Sequence, residues 1–203
     1  LTASFGTVIK NDSLGTWSWS VPSPEGPIGP TSVTITATDN FGETAFTTFN
    51  FSVDNVIPVI TALTVDSATI YENGSVTISG TFTDLGTQDT HAVLINWGNG
   101  EVSSAAVVVQ GSGSGTFTAT HQYLDDNPTT SSFDPYTITA TVTDDDGGVS
   151  VSSTVGITVN NVIPVITALT VNNAVLNENG SVTISGSFTD VGTQDTHAVL
   201  INW

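Results

Sequence analysis

An all-β chain of tandem β-sandwich domains is the fold this sequence predicts, and three observations predict it. Apolar and polar residues alternate with period two: across 75–83, Val76, Ile78, Gly80 and Phe82 face one way. The apolar residues are mostly Val, Ile and Phe, set among abundant Thr and Ser, a bias that suits strands rather than helices. Residues 55–97 return at 161–203 with 36 of 43 positions identical, at an offset of 106. A fixed period of this size marks an array of domains.

The repeat sets the expected boundaries. Residues 31–58 (TSVTITATDNFGETAFTTFNFSVDNVIP) resemble 136–164 (YTITATVTDDDGGVSVSSTVGITVNNVIP). Residues 1–54 are therefore expected to be the C-terminal part of one repeat and 55–160 a complete repeat. Residues 161–203 are expected to be the N-terminal part of the next, stopping at Trp203 in mid-strand. The chain has no Met, and it reads as an internal fragment.

Within the complete repeat, strands are expected at 59–65, 75–83 and 91–97. A Gly98-Asn99-Gly100 turn follows, because Asn-Gly favours the positive φ of tight hairpins. Residues 101–110 are expected to pair back as one strand. GSGSG (111–115) reads as a flexible connection, 116–123 as a strand and 124–135 as a polar corner. Strands at 136–143 and 149–159 close the unit as a hairpin around the acidic turn 144–148. Seven short strands at this spacing match an immunoglobulin-like sandwich. Trp17, Trp19 and Val21 share one strand face and are expected in a core, as are the equivalent Trp97 and Trp203.

Composition narrows the function. Nineteen acidic residues face one base, Lys10, for a net charge of −18. Phosphate recognition needs Lys and Arg, so nucleic acid is excluded as a natural partner, and anionic membrane surfaces are disfavoured. No apolar run reaches the length of a membrane span. Cysteine is absent, so no disulfide staples the fold. Lys10 alone cannot supply a Lys–Asn isopeptide bond to every domain. An uncompensated acidic excess repels itself, and divalent cations are the expected counter-charge.

Three motifs in order carry a family resemblance: WGNG (97–100), THQY (120–123) and YTITATVTDDDGG (136–148). Together they resemble the PKD-type repeat, with Asn99 standing where that pattern has Asp. GTWSWSV (15–21) with VTITATDNFG (33–42) is similar to a module of very large bacterial surface proteins. VDNVIP (53–58) resembles, in shortened form, the calcium linker of cadherins. These resemblances imply an extracellular spacer, adhesion or matrix role, often calcium-dependent, and no catalysis.

Strand directions locate the candidate chemistry. With strands alternating up and down, loops 84–90, 111–115 and 144–148 gather at the end where the N-terminal linker enters. Asp84, Asp89, Asp144, Asp145 and Asp146 are thus expected near Asp54 and Asn55. The other end carries Glu72, Asp125, Asp126 and Asp134 and faces Asn160, Asn161, Asp190 and Asp195. Calcium takes six to eight oxygen ligands, largely carboxylate and carbonyl, so a carboxylate-lined seam at each junction is the expected Ca2+ site. The plainer reading is that these are turn residues, since Asp and Asn favour turns through their own side-chain hydrogen bonds. Asp66 is replaced by Asn172 in the next copy and is not favoured.

Other chemistries fare worse. His91 and His121 lie on separate strands without the tight spacing of zinc motifs; a hydrogen bond from His91, and from His197, to the preceding acidic loop is the simpler expectation. No nucleophile-elbow motif supports a Ser-His-Asp triad, and carboxylates in end turns do not make a glycosidase cleft. Sequons at Asn11, Asn50, Asn73 and Asn179 leave glycosylation open. The expected function is a non-enzymatic rod or fibre of a surface or matrix protein, whose partners are neighbouring repeats and, through self-association, other copies. The alternative is an accessory polysaccharide-binding module of a secreted enzyme, for which an exposed aromatic row would speak.

Overall fold

The computed structural model describes residues 1–22, 25–126 and 131–203. Every element in it is a strand: β1 (Thr2–Ala3), β2 (Thr7–Asn11), β3 (Thr16–Ser20), β4 (Ile28–Thr38), β5 (Thr44–Val53), β6 (Val59–Val65), β7 (Thr69–Tyr71), β8 (Ser75–Thr83), β9 (His91–Asn96), β10 (Ser104–Ala105), β11 (Val107–Gly111), β12 (Ser114–Gln122), β13 (Phe133–Asp144), β14 (Ser153–Asn160), β15 (Val165–Val171) and β16 (Ile184–Thr189).

Between β6 and β14 two sheets face each other, a β-sandwich-like arrangement. One has the order β11-β12-β8-β6, the other β10-β9-β13-β14-β7. Alternation makes the core. In β8, Val76, Ile78 and Phe82 are buried while their neighbours face outward. They meet Val93 and Ile95 of β9, Phe117 of β12, and Ile138, Ala140 and Val142 of β13 in one cluster. The outer face of the four-stranded sheet bears Thr, Ser and Val and no carboxylate. Its paired positions include Thr77↔Thr120, Ser79↔Thr118 and Thr81↔Thr116.

Trp97 is fully buried and donates from Nε1 to Ser104 Oγ at 2.9 Å. His121 stacks on it at 4.9 Å, and Tyr123 meets His121 edge-on at 4.8 Å. Tyr123 Oη donates to the Trp97 carbonyl. The residues of the first two motifs thus converge on one aromatic cluster. Burial pushes the Tyr123 and Tyr136 phenols well above their ordinary range, with Glu101 adding to it.

Several expectations need correction. Residues 101–110 are not one strand. The chain leaves β10, paired with β9, and joins the opposite sheet as β11, with Ala106 N donating to Val93 O at the switch. GSGSG is not a flexible connection but a hairpin: Gly111 pairs with Ser114. The strand expected at 149–159 is interrupted: Val149 makes only an isolated bridge to Thr143, Ser150 N donates to Val142 O, and regular pairing resumes at Ser153. β7 was not anticipated; it pairs parallel to β14. The polar corner at 124–135 includes 127–130, which lie outside the described residues.

The flanking segments hold smaller sheets, β1-β4-β5, β2-β3 and β15-β16. Trp19 turns inward, donating to Phe5 O and packing on Phe49 and Phe51. Trp17, however, is 46% exposed and Trp203 is 83% exposed. Among the described residues no helix is long and apolar enough to cross a membrane.

Candidate metal centres at the ends of the central unit

Register fixes what meets at each end. Val59 pairs with Thr83 and Thr83 with Ser114, while Asp144 pairs with His91. The start of β6, the end of β8, the β11–β12 hairpin and the end of β13 therefore share one end. There Asp84, Asp89 and Asp144 are all buried, and each offers an oxygen within 4.8 Å of the others.

Their partners are distinct. Asp84 Oδ1 accepts from Gly86 N at 3.1 Å, and Oδ2 meets His91 Nε2 at 3.0 Å. Asp144 Oδ1 accepts from Gly148 N at 2.6 Å, and Oδ2 accepts from Asn55 Nδ2 at 2.8 Å. Asp89 Oδ2 accepts no hydrogen bond among the described residues. Such an orphaned buried acceptor is costly, and charge raises the cost. Burial pushes Asp89 up to about 6, with Glu25, Asp84, Asp146 and Asp145 adding to it.

Gly86 belongs to this geometry. A β-carbon there would overlap the Asp89 carboxylate and lie 2.9 Å from Glu25 Oε1. The bare backbone leaves room for oxygen ligands from two parts of the chain. Glu25, which the sequence did not single out, is thereby brought beside Asp89. Its position depends on how the 1–54 segment meets the central unit, which no local motif encodes.

The remaining candidates at this end are less engaged. Asp54 is exposed and lines a cleft with Glu25, Asn55, Leu85 and Gly86. Asp145 is exposed; its Oδ1 accepts from Thr90 N, which holds its carboxyl below the usual range. Asp146 is exposed, and slight desolvation with neighbouring Asp145 and Asp144 raises it.

At the opposite end, Glu72, Asp125, Asp126 and Asp195 form a second group within 4.8 Å. Glu72 Oε1 accepts from Val162 N, and Tyr136 Oη donates to Asp125 O. Glu72 Oε2 and Asp126 Oδ2 are buried and accept no hydrogen bond among the described residues. Burial raises Glu72, Asp126 and Asp195, and neighbouring carboxylates raise them further. Asp195 also belongs to a third group with Asp190 and His197. There His197 Nε2 meets Asp190 Oδ2 at 2.7 Å, which holds Asp190 below the usual range. Of the two linker asparagines expected here, Asn160 Nδ2 donates to Ile70 O while its carbonyl accepts from Glu72 N, and Asn161 N donates to Ser132 O.

The local module repeats faithfully. Phe82 and His91 rings lie 4.6 Å apart, Phe188 and His197 rings 4.7 Å apart, and each histidine meets the Asp seven residues before it. Both histidine Nε2 atoms face a carboxylate, the loop contact expected of them. Carboxylates, carbonyls and amide oxygens without thiols are the donors of a hard divalent cation. No family model matches this chain, and no curated protein matches it closely enough to count as a relative.

Proposed function

We propose that this chain is a non-catalytic repeat segment of an extracellular surface or matrix protein, a rod whose junctions are stiffened by calcium. The observation that carries the reading is the unpartnered, buried carboxylate oxygen of Asp89 inside the Asp84–Asp89–Asp144 group. The three buried carboxylates have the His91 ring, the Asn55 amide and the Gly86 and Gly148 N–H groups as hydrogen-bond partners, and no Lys or Arg among them. The sole Lys or Arg, Lys10, is engaged on the surface with Asp12. A divalent cation offsets that charge, and the oxygen-only remainder of the donor set selects calcium over softer metals. Stiffened junctions in a tandem array, whose units repeat nearly identically, suit a spacer or adhesive fibre. Neighbouring repeats and other copies are its proposed partners.

Thermal unfolding with excess calcium and then with chelator tests this. A ligand that binds only the folded state stabilises by about 2.7 kcal/mol at a hundredfold excess over its dissociation constant. We expect a calcium-dependent rise in Tm that is lost in the Asp84→Asn, Asp144→Asn double variant. An identical Tm in calcium and chelator would overturn the calcium reading. The alternative, a polysaccharide-binding accessory module, gains nothing from Trp17, which is exposed while Trp19 turns away into Phe49 and Phe51.

A further inference from the structure

The two carboxylate groups differ in kind. Asp84, Asp89 and Asp144 come from one repeat. Glu72, Asp125 and Asp126 come from that same repeat, but Asp195, which completes their group, belongs to the next. We propose that Glu72, Asp125, Asp126 and Asp195 form a second, separate divalent-cation site split across two repeats, so that the ion there clamps one repeat to the next. The proposal rests on the calcium reading of these junctions and assigns the ligands and mechanical role of this one.

Two observations beyond the acidic cluster point to a ligand. Glu72 is 2% exposed and Asp126 3% exposed, yet Glu72 Oε2 and Asp126 Oδ2 accept no hydrogen bond among the described residues. Buried charged acceptors are normally paired or bound to metal. The backbone also leaves room at this point. A β-carbon at Gly192 would lie 2.5 Å from Glu72 Oε2 and 2.7 Å from Asp195 Oδ2. The next repeat thus brings bare backbone and one carboxylate against the other three.

The set is held from both sides. Glu72 is fixed through its other oxygen, which accepts from Val162 N of the following repeat, and Glu72 N donates to Asn160 O. The Asp125–Asp126 turn is tied down by the Tyr136 hydroxyl on Asp125 O and by Thr193 N on Leu124 O, a contact across the seam. The sole Lys or Arg of the chain is Lys10, paired with Asp12, so no Lys or Arg neutralises the four carboxylates; the basic side chain grouped with Asp195 is His197, whose Nε2 meets Asp190 Oδ2. Used singly or in pairs, the oxygens of the four carboxylates match the six to eight ligands calcium takes at about 2.3–2.6 Å. Because its ligands divide between repeats, an ion here ties the two repeats together directly at the seam, whereas at the other junction the three grouped carboxylates come from one repeat and Glu25 and the linker residue Asn55 approach them from the N-terminal side.

Calcium titration of the chelated full chain by calorimetry, with amide NMR in parallel, tests the proposal. Two bound ions are expected. Asp126→Asn and Glu72→Gln should each weaken one of them by more than the ~10–100-fold that outer-shell changes cost, leaving the other intact. The calcium-induced shifts of the Val162, Gly192 and Thr193 amides should vanish with that ion, while those of Gly86 and Gly148 remain. Asp89→Asn should do the reverse. Asn and Gln keep the shape while removing repelling charge, and amide dispersion in chelator checks that each variant is folded. One bound ion, unaffected by Asp126→Asn and Glu72→Gln, would overturn the split site and leave the first standing. No calcium binding at all would overturn both.

Discussion

Asp89 shows at the level of one residue what the proposed cation does. Burial holds its carboxyl up near 6, against about 3.9 for an unperturbed Asp. The folded protein therefore keeps a proton that the unfolded chain has released, and between those values stability falls as pH rises. Asp145 and Asp190, held low, act oppositely: their contribution is present above the unfolded value and is lost only as pH drops below it. They leave the window from pH 5 to 7.5 to the raised groups. In chelator, we expect a higher Tm at pH 5 than at pH 7.5 by calorimetry. Saturating calcium, which competes with the proton, should flatten or reverse that slope. A chelated protein that is more stable at pH 7.5 would show that the cluster is not under charge strain. Asp89→Asn should raise the chelated Tm at pH 7.5 and abolish this site's share of the calcium increment. The carboxylates were legible in the sequence because strand alternation sends loops 84–90 and 144–148 to one end. Glu25 was not, because only the approach of separate segments places it beside Gly86.

At the level of elements, long alternating strands were legible and short or switching ones were not. β6 and β8 run over the residues expected of them. β7 has three residues, too few to show a period, and its parallel partner β14 lies far along the chain. The β10–β11 break leaves no gap in composition, since Ala106 is as apolar as its neighbours; the decision to change sheets is made by pairing with Val93 on one side and β12 on the other. GSGSG misled because glycine signals flexibility when it stands alone. Here Gly113 takes φ 69° and Gly115 gives Phe82 its space. The hairpin also holds the first cluster, for Asp84 N donates to Gly113 O. A β-carbon at Gly113 would meet Asp84 O at 2.8 Å. Gly113→Ala is thus expected to cost about 1–3 kcal/mol by urea unfolding and to weaken calcium binding at Asp84. Gly111→Ala is the control, because nothing lies within 4 Å of its added carbon and its φ is ordinary. Equal effects from both would show that the hairpin does not position the Asp84 loop.

Over the whole molecule, the decisive feature is where the charge of −18 resides. The outer face of the four-stranded sheet carries none of it, and buried carboxylates collect at the two ends of the central unit. The offset of 106 was legible as a repeat, and the structure adds that the Asp–His and Phe–His geometry repeats with it. What the repeat could not convey is which acids are buried, since that depends on the two segments closing over a seam. Burial separates two accounts of how such a chain is stabilised. Simple screening acts on exposed charges: at 0.15 M salt the screening length is about 8 Å, and at 1 M about 3 Å. Carboxylates out of water are screened much less. A bound ion is therefore expected to do what salt cannot. Small-angle scattering in chelator should report a broad ensemble of junction angles, and calcium at low millimolar concentration should narrow it and lengthen the maximum dimension. Sodium chloride at about 0.5 M, with chelator present, should recover little of that change. Should sodium chloride reproduce the whole calcium effect, screening alone would suffice, and the acidic seams would be solubilising surfaces rather than joints locked by a cation.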